Sequence, residues 1–170
     1  MKKRVGVLAL QGDFKAHGSA LLRAGAEPVE VRTRGELDSV DGLVIPGGES
    51  TTMLKLLEAE GLFEALAEFG RRRPVFGTCA GAILLAREVS HPPQQSLGLM
   101  DIEVERNAYG RQIDSRVARL EPAGEFARRA GAGALEAVFI RAPIIRRVGP
   151  QTRVLAEYDG SPVFVDVELT

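Results

Sequence analysis

One hundred and seventy residues, 45% of them hydrophobic, suffice for one domain with a buried core, and two domains would be crowded. Twenty-two basic against 23 acidic residues give a net charge of -1, which excludes the basic footprint that holds nucleic acid or anionic lipid. A single cysteine excludes an internal disulfide, and no Cys/His cluster has metal-ligand spacing, so the lone thiol is either packing or chemistry.

Along the chain, Met1-Lys-Lys-Arg4 precedes only a short apolar run over residues 5–10. That run is too short for a signal peptide or a membrane span, and a cytoplasmic location is expected. The first half then alternates short Val/Leu/Ile-rich runs with longer stretches whose apolar residues recur every three or four positions. The pattern predicts strands over 4–10, 28–32, 42–45 and 74–76, and helices over 14–24, 51–60, 62–71 and 80–88. Parallel strands joined by right-handed crossovers follow from this rhythm. Past residue 90 the pattern predicts strands over 101–106, 116–120, 137–140, 154–158 and 162–165, separated by Gly and Pro, as an antiparallel extension at one sheet edge. Residues 90–96 are the one obvious long loop.

The strongest chemical signal is the stretch 74–86, in which Gly77-Thr-Cys-Ala-Gly81 sits between a predicted strand and a predicted helix. A nucleophile elbow has this form: a sharp turn at the carboxyl end of a sheet, flanked by residues without side-chain bulk, that presents one nucleophile outward. The amino end of the following helix is expected to favour thiolate over thiol, and the Ala80 amide is placed to meet a developing oxyanion. The competing reading is a structural cysteine at a tight turn.

The second signal, Leu43-Val-Ile-Pro-Gly-Gly-Glu-Ser-Thr-Thr-Met53, also runs from strand to helix. Gly47 and Gly48 would let main-chain amides approach a ligand and supply a second oxyanion donor, and Ser50 or Thr51 would cap the helix that follows. Alone, Pro-Gly-Gly is equally an ordinary turn.

These stretches, with Val7-Leu-Ala-Leu-Gln-Gly-Asp13, Val104-Glu-Arg-Asn-Ala-Tyr-Gly-Arg-Gln112 and Val138-Phe-Ile-Arg-Ala-Pro143, resemble the successive motifs of the PdxT family over nearly the whole chain. The elbow is shared by class I glutamine amidotransferases generally; the Gly-Glu-Ser-Thr-Thr, Glu-Arg-Asn and Phe-Ile-Arg-Ala-Pro segments are particular to this family. The resemblance implies a three-layer α/β sandwich with a central, mostly parallel sheet. It also implies a glutaminase that attacks the side-chain amide of L-glutamine with Cys79 and passes ammonia to a pyridoxal 5'-phosphate synthase subunit, with no metal or organic cofactor. By the same resemblance Gly48, Glu49 and Ser50 line the glutamine site, the Gly48 and Ala80 amides hold the oxyanion, and Arg106 with Ile140 and Arg141 helps hold the substrate. Gln11 resembles a family residue near the oxyanion site and the synthase interface.

The family completes its triad with a His-Pro-Glu, whose imidazole takes the thiol proton and returns it to the departing amine. Here Asp166-Val-Glu168 stands in that place, so Glu168 maps to the carboxylate that orients the base while no histidine maps to the base itself. The expectation is one glutamine amidotransferase domain over 1–170, incomplete at its C-terminal end. His17, in the helical stretch after Gln11, is read as structural or as part of a partner interface, and His91 as a solvated loop residue. Two rivals stay open: a synthase-docking subunit without catalysis, and a cysteine-elbow hydrolase or redox sensor of the DJ-1 or PfpI type.

Overall fold

Apolar runs without polar interruption make strands that bury both faces, as a parallel sheet between helices demands. The computed structural model describes residues 2–108, 116–130, 135–140 and 143–168, which fall into two compact units. The first comprises residues 2–87 and 94–99 among its described residues. It carries strands β1 (Arg4–Leu8), β2 (Glu27–Val31), β3 (Gly42–Ile45) and β4 (Val75–Gly77) in one parallel sheet of order β2-β1-β3-β4. Gly6 lies opposite Val29 on one side and Leu43 on the other, and Val44 lies opposite Phe76.

Between these strands run α1 (Phe14–Arg23), α2 (Arg34–Asp38), α3 (Ser50–Ala59) and α4 (Phe63–Gly70), and α5 (Ala80–Leu85) follows β4. The chain steps from β1 outward to β2, then reverses past β1 to β3 and on to β4; right-handed crossovers therefore put α1 on one face and α2, α3 and α4 on the other. This is the expected three-layer α/β arrangement. The reversal between β1 and β3 makes a switch point, and the segments leaving the carboxyl ends of β1, β3 and β4 are where open sheets of this kind bind ligands. The core below is aliphatic: Leu8, Val31, Leu37, Ile45, Met53, Leu57, Leu62 and Leu84 are fully buried. Met53, Leu54 and Leu57 show why 50–59 is a helix, since the spacing of three and four puts them on one buried stripe.

The second unit comprises Glu88–Pro93 and Met100–Glu168 among its described residues. Its elements are β6 (Met100–Glu105), β7 (Arg116–Leu120), α6 (Gly124–Ala130), β8 (Leu135–Phe139), β9 (Ile144–Val148), β10 (Thr152–Tyr158) and β11 (Ser161–Val167), with β5 (Ala86–Ser90) leading in. The ladders are β5-β6-β9, β7-β8 and β10-β11, and the pairs β6-β9, β7-β8 and β10-β11 are antiparallel. Asp159 and Gly160, both with positive φ (52° and 73°), close β10 onto β11 in the two-residue hairpin loop that such a dipeptide favours.

Three sequence expectations are corrected. The helix predicted over 80–88 ends at Leu85, where Ala86 turns extended (ψ 151°) and the chain continues as β5. Residues 83–86 are buried, and a short buried apolar run fits helix or strand alike, so pairing with β6 decides. Strand β9 and helices α2 and α6 are additions, and the late strands form ladders of their own rather than extending one edge of the parallel sheet. Among the described residues, no helix is long and apolar enough to cross a membrane.

Candidate active site

Cys79 stands between β4 and α5 at φ 50°, ψ -104°, a conformation that costs a residue bearing a Cβ on the order of 1–3 kcal/mol. The turn is fixed by the Thr78 amide donating to the Ile45 carbonyl (3.1 Å) and the Gly81 amide donating to the Thr78 carbonyl (2.9 Å). The flanking glycines are dictated by crowding. A Cβ on Gly77 would lie 2.5 Å from the Gly81 carbonyl carbon, and one on Gly81 would lie 2.2 Å from the Ile45 carbonyl oxygen. The elbow read from the sequence is therefore present, and its cysteine is exposed rather than walled into the core.

The loop leaving β3 lies beside it. A Cβ placed on Gly47 would meet the Cys79 Cβ at 3.5 Å, an ordinary van der Waals contact, which shows how closely the two loops run. The first loop is pressed onto the same segment: the Asp13 amide donates to the Gly47 carbonyl (3.1 Å), and a Cβ on Gly12 would lie 2.0 Å from that oxygen. Gln11 bridges the two loops, its Oε1 accepting from the Glu49 amide at 3.1 Å.

The capping expectation for Ser50 and Thr51 is corrected. Glu49 caps α3, its carboxylate accepting from the amides of Thr51 (3.0 Å) and Thr52 (2.7 Å) and from the Thr52 hydroxyl (2.7 Å). A carboxylate reaches three donors where a hydroxyl satisfies one, and the buried Ser50 hydroxyl is directed elsewhere, donating to Gln94 Oε1 at 2.9 Å. The Thr52 hydroxyl above all, with the Thr51 and Thr52 amides, pulls the Glu49 carboxyl down to about 2. Gln94 was not singled out in the sequence: it sits in the 90–96 loop, and no local pattern ties it to Ser50. Its Oε1 also accepts from the Thr51 hydroxyl at 3.4 Å.

Electrostatically the sulfur is poised differently from the sequence expectation. Although Cys79 is exposed as a residue, its sulfur is partly withdrawn from water, which pushes the thiol above its ordinary value, and the hydrogen bonds offered by the Ala80 and Gly48 amides offset only part of that. The expected preference for thiolate is thus reversed, and removal of the thiol proton becomes a demanding part of any attack. The two amides nonetheless come from separate loops and converge on one atom, the arrangement an oxyanion hole requires. His17 also reaches the elbow, its Nε2 lying 3.0 Å from the Thr78 hydroxyl oxygen.

The other residues singled out by sequence belong to the second unit. Arg106 follows β6 and is half-buried, its amide donating to the Ser90 carbonyl at 2.9 Å. Ile140 follows β8 with 61% of its surface exposed, and Arg141 lies outside the described residues. Glu168 pairs with Arg153 Nη1 at 2.9 Å, and the same guanidinium grips Asp166 through Nε (2.8 Å) and Nη2 (2.6 Å). His91 is exposed. Among the described residues, no group of His, Cys, Asp and Glu has the placement to hold a metal ion.

Comparison with known proteins gives this geometry its context. The model of the SNO glutamine amidotransferase family matches residues 7–168. A pyridoxal 5'-phosphate synthase subunit PdxT from Solibacter usitatus is 64% identical over 164 residues, covering 96% of this chain and 85% of the relative. The protein of the same name from Koribacter versatilis is 53% identical over 165 residues, covering 95% and 81% respectively. Among solved structures, a crystal structure described as a glutamine amidotransferase superimposes with a TM-score of 0.85 at 44% identity, over 96% of this chain and 84% of that one.

Proposed function

The chain belongs to the SNO glutamine amidotransferase family, and on that premise we propose that it is the glutaminase subunit of a pyridoxal 5'-phosphate synthase, releasing ammonia from L-glutamine through Cys79. The observation that carries the reading is the convergence of the Gly48 and Ala80 amides on the sulfur of a strained, exposed cysteine. Cys79 Sγ attacks the side-chain amide carbon, and the carbonyl oxygen takes up charge between the two amides. The C–N bond then breaks, the nitrogen leaves as ammonia with the proton surrendered by the thiol, and a glutamyl thioester remains. Water hydrolyses the thioester to glutamate and restores the thiol.

Gln11, by holding the Glu49 amide, and Glu49, by capping α3, keep the 47–50 loop in the shape that aims the Gly48 amide. For Arg106, Ile140 and Arg141 the family resemblance is what supports a role in holding the substrate. An arginine suits the amino-acid carboxylate because it donates two parallel hydrogen bonds. Ammonia is lost to protonation in bulk water, which favours docking on the synthase subunit that consumes it. A nucleophilic thiol that must stay reduced fits a cytoplasmic setting.

The test is glutamate release from glutamine by the purified chain mixed with its synthase subunit. Cys79→Ser should abolish release while leaving association with the synthase intact. Glutamate release that survives the substitution would rule Cys79 out, and a wild-type chain that associates yet releases none would make it a docking subunit without catalysis.

A further inference from the structure

The turn that presents Cys79 is held by main-chain bonds from β3 and from the first turn of α5. A side chain from outside these elements also reaches it. His17, at the end of the first turn of α1, puts its Nε2 3.0 Å from Oγ1 of Thr78, the residue immediately before the nucleophile. The two are 61 positions apart, and the contact is part-buried. Helix α1 has no buried residue and rests on β1 and β2, so the imidazole is a polar strut between a shallowly seated helix and the strained turn. Desolvation lowers the His17 pKa, with Asp13 opposing, which keeps the ring neutral at physiological pH and able to accept from the Thr78 hydroxyl.

We propose that His17 is a positioning residue for the nucleophile: through Thr78 it ties α1 to the elbow and holds the Cys79 sulfur against the Gly48 and Ala80 amides. A strained backbone conformation such as that of Cys79 persists only where its surroundings over-determine it. Losing one tie lets the turn relax, and the sulfur drifts from the two amides that partly stabilise its anion. The inference rests on Cys79 being the nucleophile but not on the identity of the substrate.

The experiment is the pH profile of Cys79 alkylation by iodoacetamide on the full chain, run beside glutamate release with the synthase subunit. His17→Ala should move the alkylation midpoint up by about one pH unit, which slows labelling about tenfold at a fixed pH below it. Thr78→Val should do the same, and the double variant should be no slower than either alone. His17→Gln, whose amide reaches the place of Nε2, and Thr78→Ser, which keeps the hydroxyl, should recover most of the wild-type rate. In the glutaminase assay His17→Ala and Thr78→Val should lower kcat with KM unchanged, and His17→Gln and Thr78→Ser should largely restore it. Wild-type labelling rates in His17→Ala, or additive losses in the double variant, would overturn the proposal. So would failure of His17→Gln to recover while its thermal midpoint matches wild type. If wild type releases no glutamate but labelling still depends on His17, the glutaminase reading fails and the strut stands.

Discussion

At the scale of single residues, Cys79 and Glu49, two of the site's ionisable side chains, are pushed in opposite directions. Water withdrawn from the Cys79 sulfur raises its pKa above the ordinary 9.0. For the free chain, the iodoacetamide reaction should therefore accelerate with pH through a midpoint above that value; a midpoint near neutrality would mean that the Gly48 and Ala80 amides dominate instead. Glu49 is shifted the other way, from 4.5 to about 2, chiefly by the Thr52 hydroxyl. A depressed carboxylate stabilises the fold fully above its unfolded pKa, and the contribution is lost as pH falls from about 4.5 toward about 2. Because the carboxylate is largely exposed, solvent screening leaves it worth about 1 kcal/mol, the usual magnitude for a helix cap. Glu49→Ala should thus lower the urea midpoint at pH 7, and the gap from wild type should close as pH approaches 2. A gap of constant size would show that charge at position 49 is irrelevant to the cap.

At the scale of elements, two glycines in neighbouring turns should fail differently. A Cβ on Gly81 meets main chain, 2.2 Å from the Ile45 carbonyl oxygen, and cannot be relieved without moving β3 or α5. A Cβ on Gly48 meets the end of the Gln11 side chain at 2.5 Å, and that side chain can swing aside. Gly81→Ala should therefore destabilise by about 3 kcal/mol, the upper range for overpacking. Gly48→Ala carries the strain of its φ of 156° even when Gln11 gives way, and should cost about 1–2 kcal/mol, less than Gly81→Ala, yet lose most glutaminase activity, because the bond from the Glu49 amide to Gln11 is broken. Equal stabilities for the two variants would refute the distinction, and parallel denaturation and glutamate assays would reveal it. Gly81 was legible in the sequence because the Gly-x-Cys-x-Gly spacing marks an elbow, whereas Gly48, in a Pro-Gly-Gly that is equally an ordinary turn, gained meaning only beside that elbow. The strands of the first unit were legible too, since their apolar runs have no other use. A capping box of Thr33 and Glu36 opens α2, but five residues are too few to show a helical apolar period. What local pattern could not carry was the pairing of distant residues: Gln94 with Ser50, His17 with Thr78, and the Arg146–Glu105 and Arg147–Asp101 contacts that hold charge-rich β9 on β6.

At the scale of the whole molecule, buried apolar side chains are unevenly shared. Among the described residues, the buried hydrophobic set lies mostly in the first unit, while the second contributes Ile102, Val104, Ala118, Leu120 and Ala156. The second unit relies instead on antiparallel ladders, the edge-to-face pair of Phe126 and Phe164 (5.0 Å) and the stacked pair of Phe139 and Tyr158 (5.1 Å). Burial is the dominant stabilising contribution, so the second unit should open at the lower denaturant concentration. The sequence supplies its own reporters. The chain has no tryptophan, Tyr158 belongs to the second unit, and among the described residues α1 to α5 all belong to the first. In a urea titration the near-ultraviolet tyrosine signal should therefore be lost before the 222 nm ellipticity that the helices dominate. The separation should be widest in a variant that weakens the second unit alone, such as Phe164→Ala, which leaves the parallel sheet untouched. Superimposable transitions in both proteins would mean that residues 1–170 unfold as one cooperative domain, and that the lean packing of the second unit is stabilised by the first.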